Sequence, residues 1–306
     1  MYGASKTLTA EKLTQLPQSL FYRGEPTEWV KVTRPGEELG SFIEGAAYDC
    51  EGNLWCVDVP YGRIFSITNE GKWQTQLTYE GEPHCLALHP DKGFLISDYR
   101  QGLLHFLPVN LAEKQPNRSS SLKSICTGIN SENFRGLADV TIDHDNQIWF
   151  TDPGRSSLSD PTGRLFCLTG NGKIQTVLNN IPYPNGIAIS ADNQFIYLAV
   201  TRANAIWRLR RNAPDPLHPM TGCFIQLSGG LGPDGLAVNN NGLLAVAQAQ
   251  AGRVWIFDPL GDLIAKIQVP EGLWTTSVAF HPHQNNLLSI LEAQTASIYQ
   301  IDLNQI

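Results

Sequence analysis

The sequence has 306 residues, 42% of them hydrophobic, and a formal net charge of −7 at neutral pH. It contains no run of Lys or Arg, which argues against a nucleic-acid-binding surface. It also lacks a stretch of about eighteen apolar residues and an apolar signal-peptide core, so we expect a cytoplasmic protein without a membrane partner. Six scattered cysteines in such a chain are typical of free thiols.

The chain opens with residues 1–26, which we interpret as an N-terminal extension, and residues 27–33, which alternate apolar and polar side chains like a strand. From Glu44 onward one phrase recurs: a short apolar strand, a tight polar turn and a second apolar strand. The copies begin 40 to 54 residues apart, at Glu44, His84, Ala138, Asn185, Asp234 and Thr276. A drifting period of this size is typical of one antiparallel unit repeated with loops of varying length.

Four strands can be assigned in most units, so the sequence predicts an all-β fold, a six-bladed β-propeller of four-stranded antiparallel blades. The last unit ends one strand short, after residues 297–301. We therefore expect residues 27–33 to supply the fourth strand of that blade and close the ring. Residues 1–306 would form a single domain. Two insertions, Asn110–Ser121 and Arg211–Met220, are interpreted as surface loops.

The first strand of each propeller blade lines the central channel, so the six opening residues are expected to be neighbours in space. Glu44 and Asp234 would place two carboxylates together, and these repel unless a cation lies between them. Asn185 adds an amide oxygen. Taken singly, Asn-Gly and Asp-Gly pairs are typical of turns, but their matched positions favour a site for a hard divalent cation, which prefers carboxylate and amide oxygens.

Several phrases together resemble the senescence marker protein, gluconolactonase and luciferin-regenerating enzyme family. They are FIEG at 42–45, IWFTDP at 148–153, YPNGIAIS at 183–190, GPDGLAV at 232–238 and TTSVAF at 275–280. The resemblance covers nearly the whole chain from Phe42 onward, in the right order. It implies a six-bladed propeller with one divalent metal held in the channel by a Glu, an Asn and an Asp, and it implies hydrolysis of sugar lactones or related esters.

Carried over by position, the resemblance implies that Glu44, Asn185 and Asp234 are the metal ligands and that Asp234 is the catalytic base. Ca²⁺ is the expected metal, and Mg²⁺, Mn²⁺, Zn²⁺ and Fe²⁺ remain alternatives for an oxygen-rich site. The metal would polarise the lactone carbonyl, while Asp234 or a metal-bound water provides the base or nucleophile. One departure concerns Ala138, which stands where the family usually has Asn and puts the usual substrate in question.

The loops beside the opening residues are expected to form the mouth of the site. Substrate contacts are predicted for His84, Arg135, Asp139, Tyr183, Arg202 and Trp274. Aromatic walls with a few arginines suit a small polar or anionic ligand, because a guanidinium offers forked donors to carboxylate or hydroxyl oxygens. The alternative for Asp139 is a role in orienting its neighbours, and the alternative for the arginines is a solvated surface.

Two other functions stay open at this level. The same metal could polarise a phosphoryl oxygen, which would make the protein a phosphotriesterase. A propeller can also serve as a non-enzymatic ligand-binding platform, because fold does not dictate function. A serine hydrolase is not favoured, since Ser277 has no His and Asp partners placed for a triad. The sequence leaves the oligomeric state open.

Overall fold

The computed structural model describes residues 5–90, 93–108, 121–213 and 219–306. Most of the predicted loop Asn110–Ser121, and the middle of the loop Arg211–Met220, lie outside the described residues. The described chain is almost entirely β-structure, arranged as six antiparallel blades of four strands each. The predicted six-bladed propeller is therefore confirmed.

Before the first blade come strands β1 (Lys6–Thr9) and β2 (Glu11–Gln15) and helix α1 (Glu28–Thr33). Blade 1 consists of β3 (Ile43–Tyr48), β4 (Leu54–Asp58), β5 (Arg63–Ile67) and β6 (Trp73–Thr78). Blade 2 consists of β7 (Pro83–Leu88), β8 (Phe94–Asp98), β9 (Gly102–Leu107) and β10 (Ser121–Cys126). A separate hairpin follows, formed by β11 (Gly128–Ile129) and β12 (Glu132–Asn133).

Blade 3 consists of β13 (Val140–Ile142), β14 (Ile148–Asp152), β15 (Gly163–Leu168) and β16 (Ile174–Ile181). Blade 4 consists of β17 (Pro184–Ile189), β18 (Phe195–Val200), β19 (Ala205–Arg210) and β20 (Thr221–Gln226). Blade 5 consists of β21 (Gly232–Val238), β22 (Leu244–Ala249), β23 (Arg253–Phe257) and β24 (Leu263–Gln268), and blade 6 contains β25 (Thr275–His281), β26 (Gln284–Glu292) and β27 (Ser297–Asp302). Short 3-10 helices span Gln18–Leu20, Val59–Tyr61, Thr201–Ala203 and Leu303–Gln305.

An N-terminal strand does close the ring, but it is not the predicted one. β2 pairs antiparallel with β27, with Lys12 opposite Tyr299, and so completes blade 6. β1 pairs parallel with β24 and adds a fifth strand to blade 5. Ala10, between the two strands, is only 1% exposed. The interpretation of residues 1–26 as a mere extension was therefore wrong, because this segment contains both strands that link the last two blades.

Residues 27–33, predicted as the closing strand, form helix α1 instead. Thr27 caps the helix, since its hydroxyl accepts a hydrogen bond from the Val30 backbone N–H at 3.4 Å. Glu28 lies in the first turn, where a negative charge interacts favourably with the helix dipole. Of the helix residues only Val30 is buried. The apolar alternation was too short to outweigh a capped helix start.

The hydrophobic core lies in layers between neighbouring blades. Trp55 on β4 packs on Phe94 of β8, with ring centroids 4.7 Å apart. Its indole N–H is paired within the blade, donating to Asp49 Oδ2 at 2.9 Å. Trp149 repeats the arrangement with Asp143, also at 2.9 Å. These inter-blade layers fix each blade against the next, and so fix the inner strands around the axis.

All six cysteines are free, as expected from their scattered positions. In the part of the chain that the structure describes, no helix has the length and apolar character needed to cross a membrane.

Candidate active site

The predicted metal ligands lie within inner strands that carry β-bulges. The strand register shifts between Glu44 and Ala47 on β3, between Pro184 and Ile187 on β17, and between Pro233 and Leu236 on β21. A bulge leaves a residue unpaired and re-aims its side chain. Glu44, Asn185 and Asp234 all fall at such irregularities, so the turn interpretation of the Asn-Gly and Asp-Gly pairs does not apply.

A glycine follows each of these three residues because neighbouring inner strands approach backbone to backbone. A Cβ atom at Gly186 would lie 2.1 Å from the carbonyl oxygen of Asp234, and one at Gly235 would lie 2.8 Å from that of Thr276. At Gly45 a Cβ would meet the Cys85 Cα at 2.7 Å. These contacts exclude any side chain, and the close approach brings the residues before the glycines together.

Hydroxyl groups at or just after the ends of second strands join blade 2 to blade 3, blade 3 to blade 4 and blade 4 to blade 5 at the level of the site. Ser97 Oγ donates to the Ala138 carbonyl at 2.7 Å, and Thr151 Oγ1 donates to that of Asn185 at 2.8 Å. Thr201 Oγ1 donates to the Pro233 carbonyl at 2.7 Å. These bonds hold the backbone beside the candidate ligands in a fixed position.

Buried carboxylates at the same strand ends hold the segments that lead into the site. Asp58 accepts the Phe42 N–H at 2.8 Å, Asp98 accepts the Glu82 N–H at 2.9 Å, and Glu292 accepts the Trp274 N–H at 2.9 Å. Our sequence reasoning missed these residues. The sequence contains a pattern that could have identified them, because the second strand of several units ends in an acidic residue: VD at 57–58, SD at 97–98, TD at 151–152 and LE at 291–292.

At the centre of the site, two hydrogen bonds orient the candidate ligands. His84 Nδ1 lies 2.9 Å from Glu44 Oε2. Asn185 Nδ2 donates to Asp234 Oδ1 at 2.7 Å. Within the described residues, no protein group bonds the second carboxylate oxygen of Glu44, that of Asp234, or the amide oxygen of Asn185. One oxygen of each side chain therefore remains free to bind a ligand.

The electrostatics of the site are those of crowded, buried carboxylates. Burial raises the pKa of Asp234 well above its ordinary value, and the negative charges of Glu44 and Asp139 raise it further. Burial also raises the pKa of Asp139, to about 6, although two backbone N–H donors oppose the shift. Burial alone would lower the pKa of His84, but Glu44 outweighs it, so that pKa lies above its ordinary value.

The residues present fit a hard divalent cation. Three unpaired oxygens from two carboxylates and an amide are the donors that Ca²⁺ and Mg²⁺ prefer. A positive charge there would offset the repulsion that raises the pKa of Asp234. Across the described ranges, no group of three or more His, Cys, Asp and Glu side chains is placed to hold a metal. The candidate set has only two such residues, and its third member is an amide.

These groups form the floor of a cavity of about 1290 Å³. Four residues predicted to contact the substrate also line it: His84, Tyr183, Arg202 and Trp274. The Arg202 guanidinium carbon lies 5.4 Å from the Tyr183 ring centroid, so the two side chains form one wall. Ala138 is a further lining residue, which places the departure from the family pattern inside the site.

Two predicted substrate contacts lie elsewhere. The Arg135 guanidinium donates to Glu132 Oε1 at 3.2 Å and to the Thr162 carbonyl, away from the cavity lining. Asp139 is buried and is not among the residues that line the cavity; it accepts the N–H groups of Val140 at 2.7 Å and Ile187 at 2.8 Å. Asp139 therefore orients neighbouring backbone, as its alternative interpretation held, and neither position supports a substrate contact.

Comparison with known proteins agrees with this geometry. Residues 42–293 match the family described as the SMP-30/Gluconolactonase/LRE-like region. The chain belongs to this family. Among its curated relatives, lactonase drp35 of Staphylococcus aureus strain MRSA252 is 27% identical over 270 residues, which cover 85% of this chain and 80% of the relative.

Solved structures show the same propeller. A gluconolactonase from Xanthomonas campestris superposes with a TM-score of 0.73 at 18% identity, covering 99% of this chain and 98% of its own. Regucalcin from Agrobacterium tumefaciens, described as a calcium-binding protein, has a TM-score of 0.72 at 19% identity and covers 97% of this chain and 95% of its own. At these identities the two structures establish the fold.

One part of the cavity wall lies outside the region that matches the SMP-30/gluconolactonase family. Helix α1 and the following turn contribute Glu28, Trp29, Val32, Thr33, Arg34, Pro35 and Glu37 to the lining. Our sequence reasoning missed this wall because it assigned the segment to the last blade. The signal that could have found it is Thr27 followed by Glu28, a typical helix start, with Pro35-Gly36 after the last turn.

Proposed function

We propose that this protein hydrolyses a lactone in the cavity above Glu44, Asn185 and Asp234, which together hold a divalent cation. The observation that carries the proposal is the unpaired oxygen on each of these three side chains, at the floor of a cavity of about 1290 Å³. Family membership supports it, because curated relatives include a lactonase.

The bound cation would supply polarisation of the lactone carbonyl. Asp234 accepts a proton from a water molecule as the water oxygen bonds to the carbonyl carbon. The bond between the carbonyl carbon and the ring oxygen then breaks, and Asp234 returns the proton to that oxygen. The product is the open-chain hydroxy acid, and Asp234 is left as it began.

Neighbouring side chains orient the carboxylates of the proposed site and surround them. Asn185 Nδ2 donates to Asp234 Oδ1 at 2.7 Å and fixes the orientation of the carboxylate. Asp234 can act as a base only when ionised; burial and the charges of Glu44 and Asp139 raise its pKa, and a cation beside it would favour the ionised form. His84 orients Glu44 in the same way at 2.9 Å. Tyr183 and Trp274 provide aromatic walls beside these polar groups.

The test is hydrolysis of a panel of sugar and aliphatic lactones, with a phosphotriester included, by protein stripped with EDTA and reloaded with single divalent metals. We expect EDTA to abolish lactone turnover and one or more of Ca²⁺, Mg²⁺, Mn²⁺, Zn²⁺ and Fe²⁺ to restore it. Lactone turnover that survives complete metal removal would contradict the cation site. Metal-dependent turnover of the phosphotriester alone would replace the lactonase proposal with its alternative.

A further inference from the structure

Arg34 is fixed at the cavity by the end of helix α1. Its backbone N–H donates to the Val30 carbonyl at 2.8 Å and closes the last turn of the helix. Val30 is 2% exposed and anchors the helix on the propeller. The Arg34 side chain is 13% exposed and lines the same cavity as the candidate ligands. Its guanidinium therefore belongs to a fixed wall of the site.

The Arg34 guanidinium stacks on aromatic rings and lacks a close acceptor. Its central carbon lies 3.8 Å from the Trp274 ring centroid and 5.1 Å from that of Phe42. Stacking occupies the faces of the guanidinium and leaves its N–H edge for acceptors. In the described chain the guanidinium donates one hydrogen bond, from Nη1 to Glu37 Oε1, and this bond is long at 3.4 Å. The Nε atom is buried and has no hydrogen-bond acceptor among the described residues.

Three further arginines line the cavity: Arg100, Arg155 and Arg202. The Glu82 carboxylate is 4.0 Å from Arg100, while Arg155 and Arg202 form no ion pair with another described residue. Of the four, Arg34 is the one that is largely buried, and its ion pair with the exposed Glu37 is long at 3.4 Å, so an anion in the cavity would form closer charge-assisted hydrogen bonds with it. Glu28, Glu37 and Glu82 also line the cavity, so the buried positive charge that an anion would meet is that of Arg34.

We propose that the substrate is a lactone that carries an anionic substituent, and that Arg34 is the specificity-determining residue that binds this substituent. The inference rests on the proposed lactonase function. The lactone carbonyl lies at Asp234, and the anionic group reaches the N–H edge of Arg34 on the wall. The cavity of about 1290 Å³ exceeds the roughly 300–1,000 Å³ of ordinary small-molecule pockets, which leaves room beyond the lactone ring.

Two substrate pairs distinguish the sources of the charge. One pair is 5-oxotetrahydrofuran-2-carboxylate and its carboxamide, and the other is 6-phospho-D-glucono-1,5-lactone and D-glucono-1,5-lactone. We expect the metal-loaded wild type to favour the anionic member of at least one pair by about tenfold or more in kcat/KM. The pair with the larger ratio of anionic to neutral substrate shows whether the site prefers a carboxylate or a phosphate. In Arg34→Gln the ratio should fall towards one, mainly through KM. Lys31→Gln removes an exposed charge from the same helix and should leave the ratio intact.

A binding measurement separates this inference from the lactonase proposal. Calorimetry with 3-oxocyclopentane-1-carboxylate and its carboxamide, ring ketones that cannot be hydrolysed, should show tighter binding of the anion to wild type and no preference in Arg34→Gln. Selective binding without hydrolysis of any lactone would overturn the enzymatic proposal and keep the anion site. Hydrolysis of neutral and anionic lactones at equal rates, with no binding preference, would overturn the role of Arg34 and keep the lactonase.

Discussion

Asp234 has two roles in the proposed reaction, as a ligand of the cation and as the base. Its carboxylate takes a hydrogen bond from Asn185 at 2.7 Å, and its pKa is raised by burial and by Glu44 and Asp139. The same group is asked to bind a cation and to move a proton. A substitution that keeps its shape and removes its charge therefore tests both roles together.

We predict that Asp234→Asn lowers kcat/KM for the best lactone by about 10²–10⁴-fold, because the amide can neither accept the proton nor supply negative charge to the cation. Steady-state rates at saturating metal measure the loss. Asp262→Asn, at an exposed position in blade 5, is the matched control and should keep full activity. Comparable rates for the Asp234 variant and wild type would remove Asp234 from the proton transfer.

Ala138 is expected to affect another property, the fit of the substrate. It lines the cavity at the position where the family resemblance implies Asn. We predict that Ala138→Asn raises kcat/KM for hydroxylated sugar lactones up to about tenfold relative to an unsubstituted aliphatic lactone, since one added hydrogen bond contributes about 0.5–1.5 kcal/mol. Ala138→Leu adds similar bulk without the amide and should give no such gain. An equal response in both variants would assign the effect to volume.

The candidate ligands could be found from the sequence because each occupies the same place in a repeat, which made Glu44, Asn185 and Asp234 neighbours by topology alone. Arg135 could not be placed in this way. It lies three residues before Ala138, but the inserted β11–β12 hairpin offers Glu132, and this local ion pair at 3.2 Å draws its side chain from the mouth. Arg34 was missed because it belongs to no repeat, so the topology of the repeats could not place it.

At the scale of the strand, a buried acid at the end of β14 links the outer sheet to the site. Asp152 is fully buried and accepts from the Arg135 and Gly136 N–H groups at 2.8 and 2.9 Å. Its other oxygen lies 2.6 Å from Arg164 Nη2 on β15. Burial raises the pKa of Asp152, and the paired Arg164 opposes that shift. The loop before the third inner strand depends on this one carboxylate.

We predict that Asp152→Ala lowers the free energy of unfolding by about 3–5 kcal/mol, because among the described residues it leaves Arg164, which is 8% exposed, with the exposed Glu132 as its one carboxylate partner. Urea unfolding followed by fluorescence measures the change. Asp160→Ala removes an exposed carboxylate from the same blade and serves as the control. A change below about 1 kcal/mol would show that the surrounding backbone is held by other contacts.

Element type proved harder to predict than element position. The apolar residues Trp29, Val30 and Val32 fit a strand as well as a helix turn, and the helix is distinguished by its flanking residues, with Thr27 and Glu28 at the start and Pro35-Gly36 after the end. The closing strand β2 is itself only five residues and mostly exposed, so its pattern is weak. The topological requirement for an N-terminal closing strand was correct, while the local pattern named the wrong segment.

At the scale of the whole molecule, the ring is joined by two short strands on either side of Ala10. β1 attaches to blade 5 and β2 to blade 6, so the N-terminal segment links the outer strands of the last two blades. Leu16, directly after β2, is 2% exposed and packs with Ile43 and Ile298 between blades 6 and 1. The N-terminal segment therefore contributes to the core as well as to the sheet.

We predict that truncation through Leu16 lowers the midpoint of thermal unfolding by on the order of 10 °C, because blade 6 loses its outer strand and the core loses Leu16. Truncation through Thr9 removes β1 alone and should cost less. Differential scanning calorimetry of both proteins measures the two shifts. Equal small shifts would mean that blade 6 is stable with three strands and that the β2 pairing adds little.

Helix α1 has a consequence for how this protein can diversify. The floor of the site is encoded inside the repeats, where a change at one inner strand disturbs its neighbours. The Arg34 wall is encoded in a short segment before them, anchored through Val30. On the proposed role of Arg34, exchanging residues 27–37 between homologues would transfer the preference for an anionic substituent and leave Glu44, Asn185 and Asp234 unchanged. The proposed anion site would thus be set by residues before the repeats, while Ala138 and other lining residues inside the repeats contribute to the fit of the rest of the substrate.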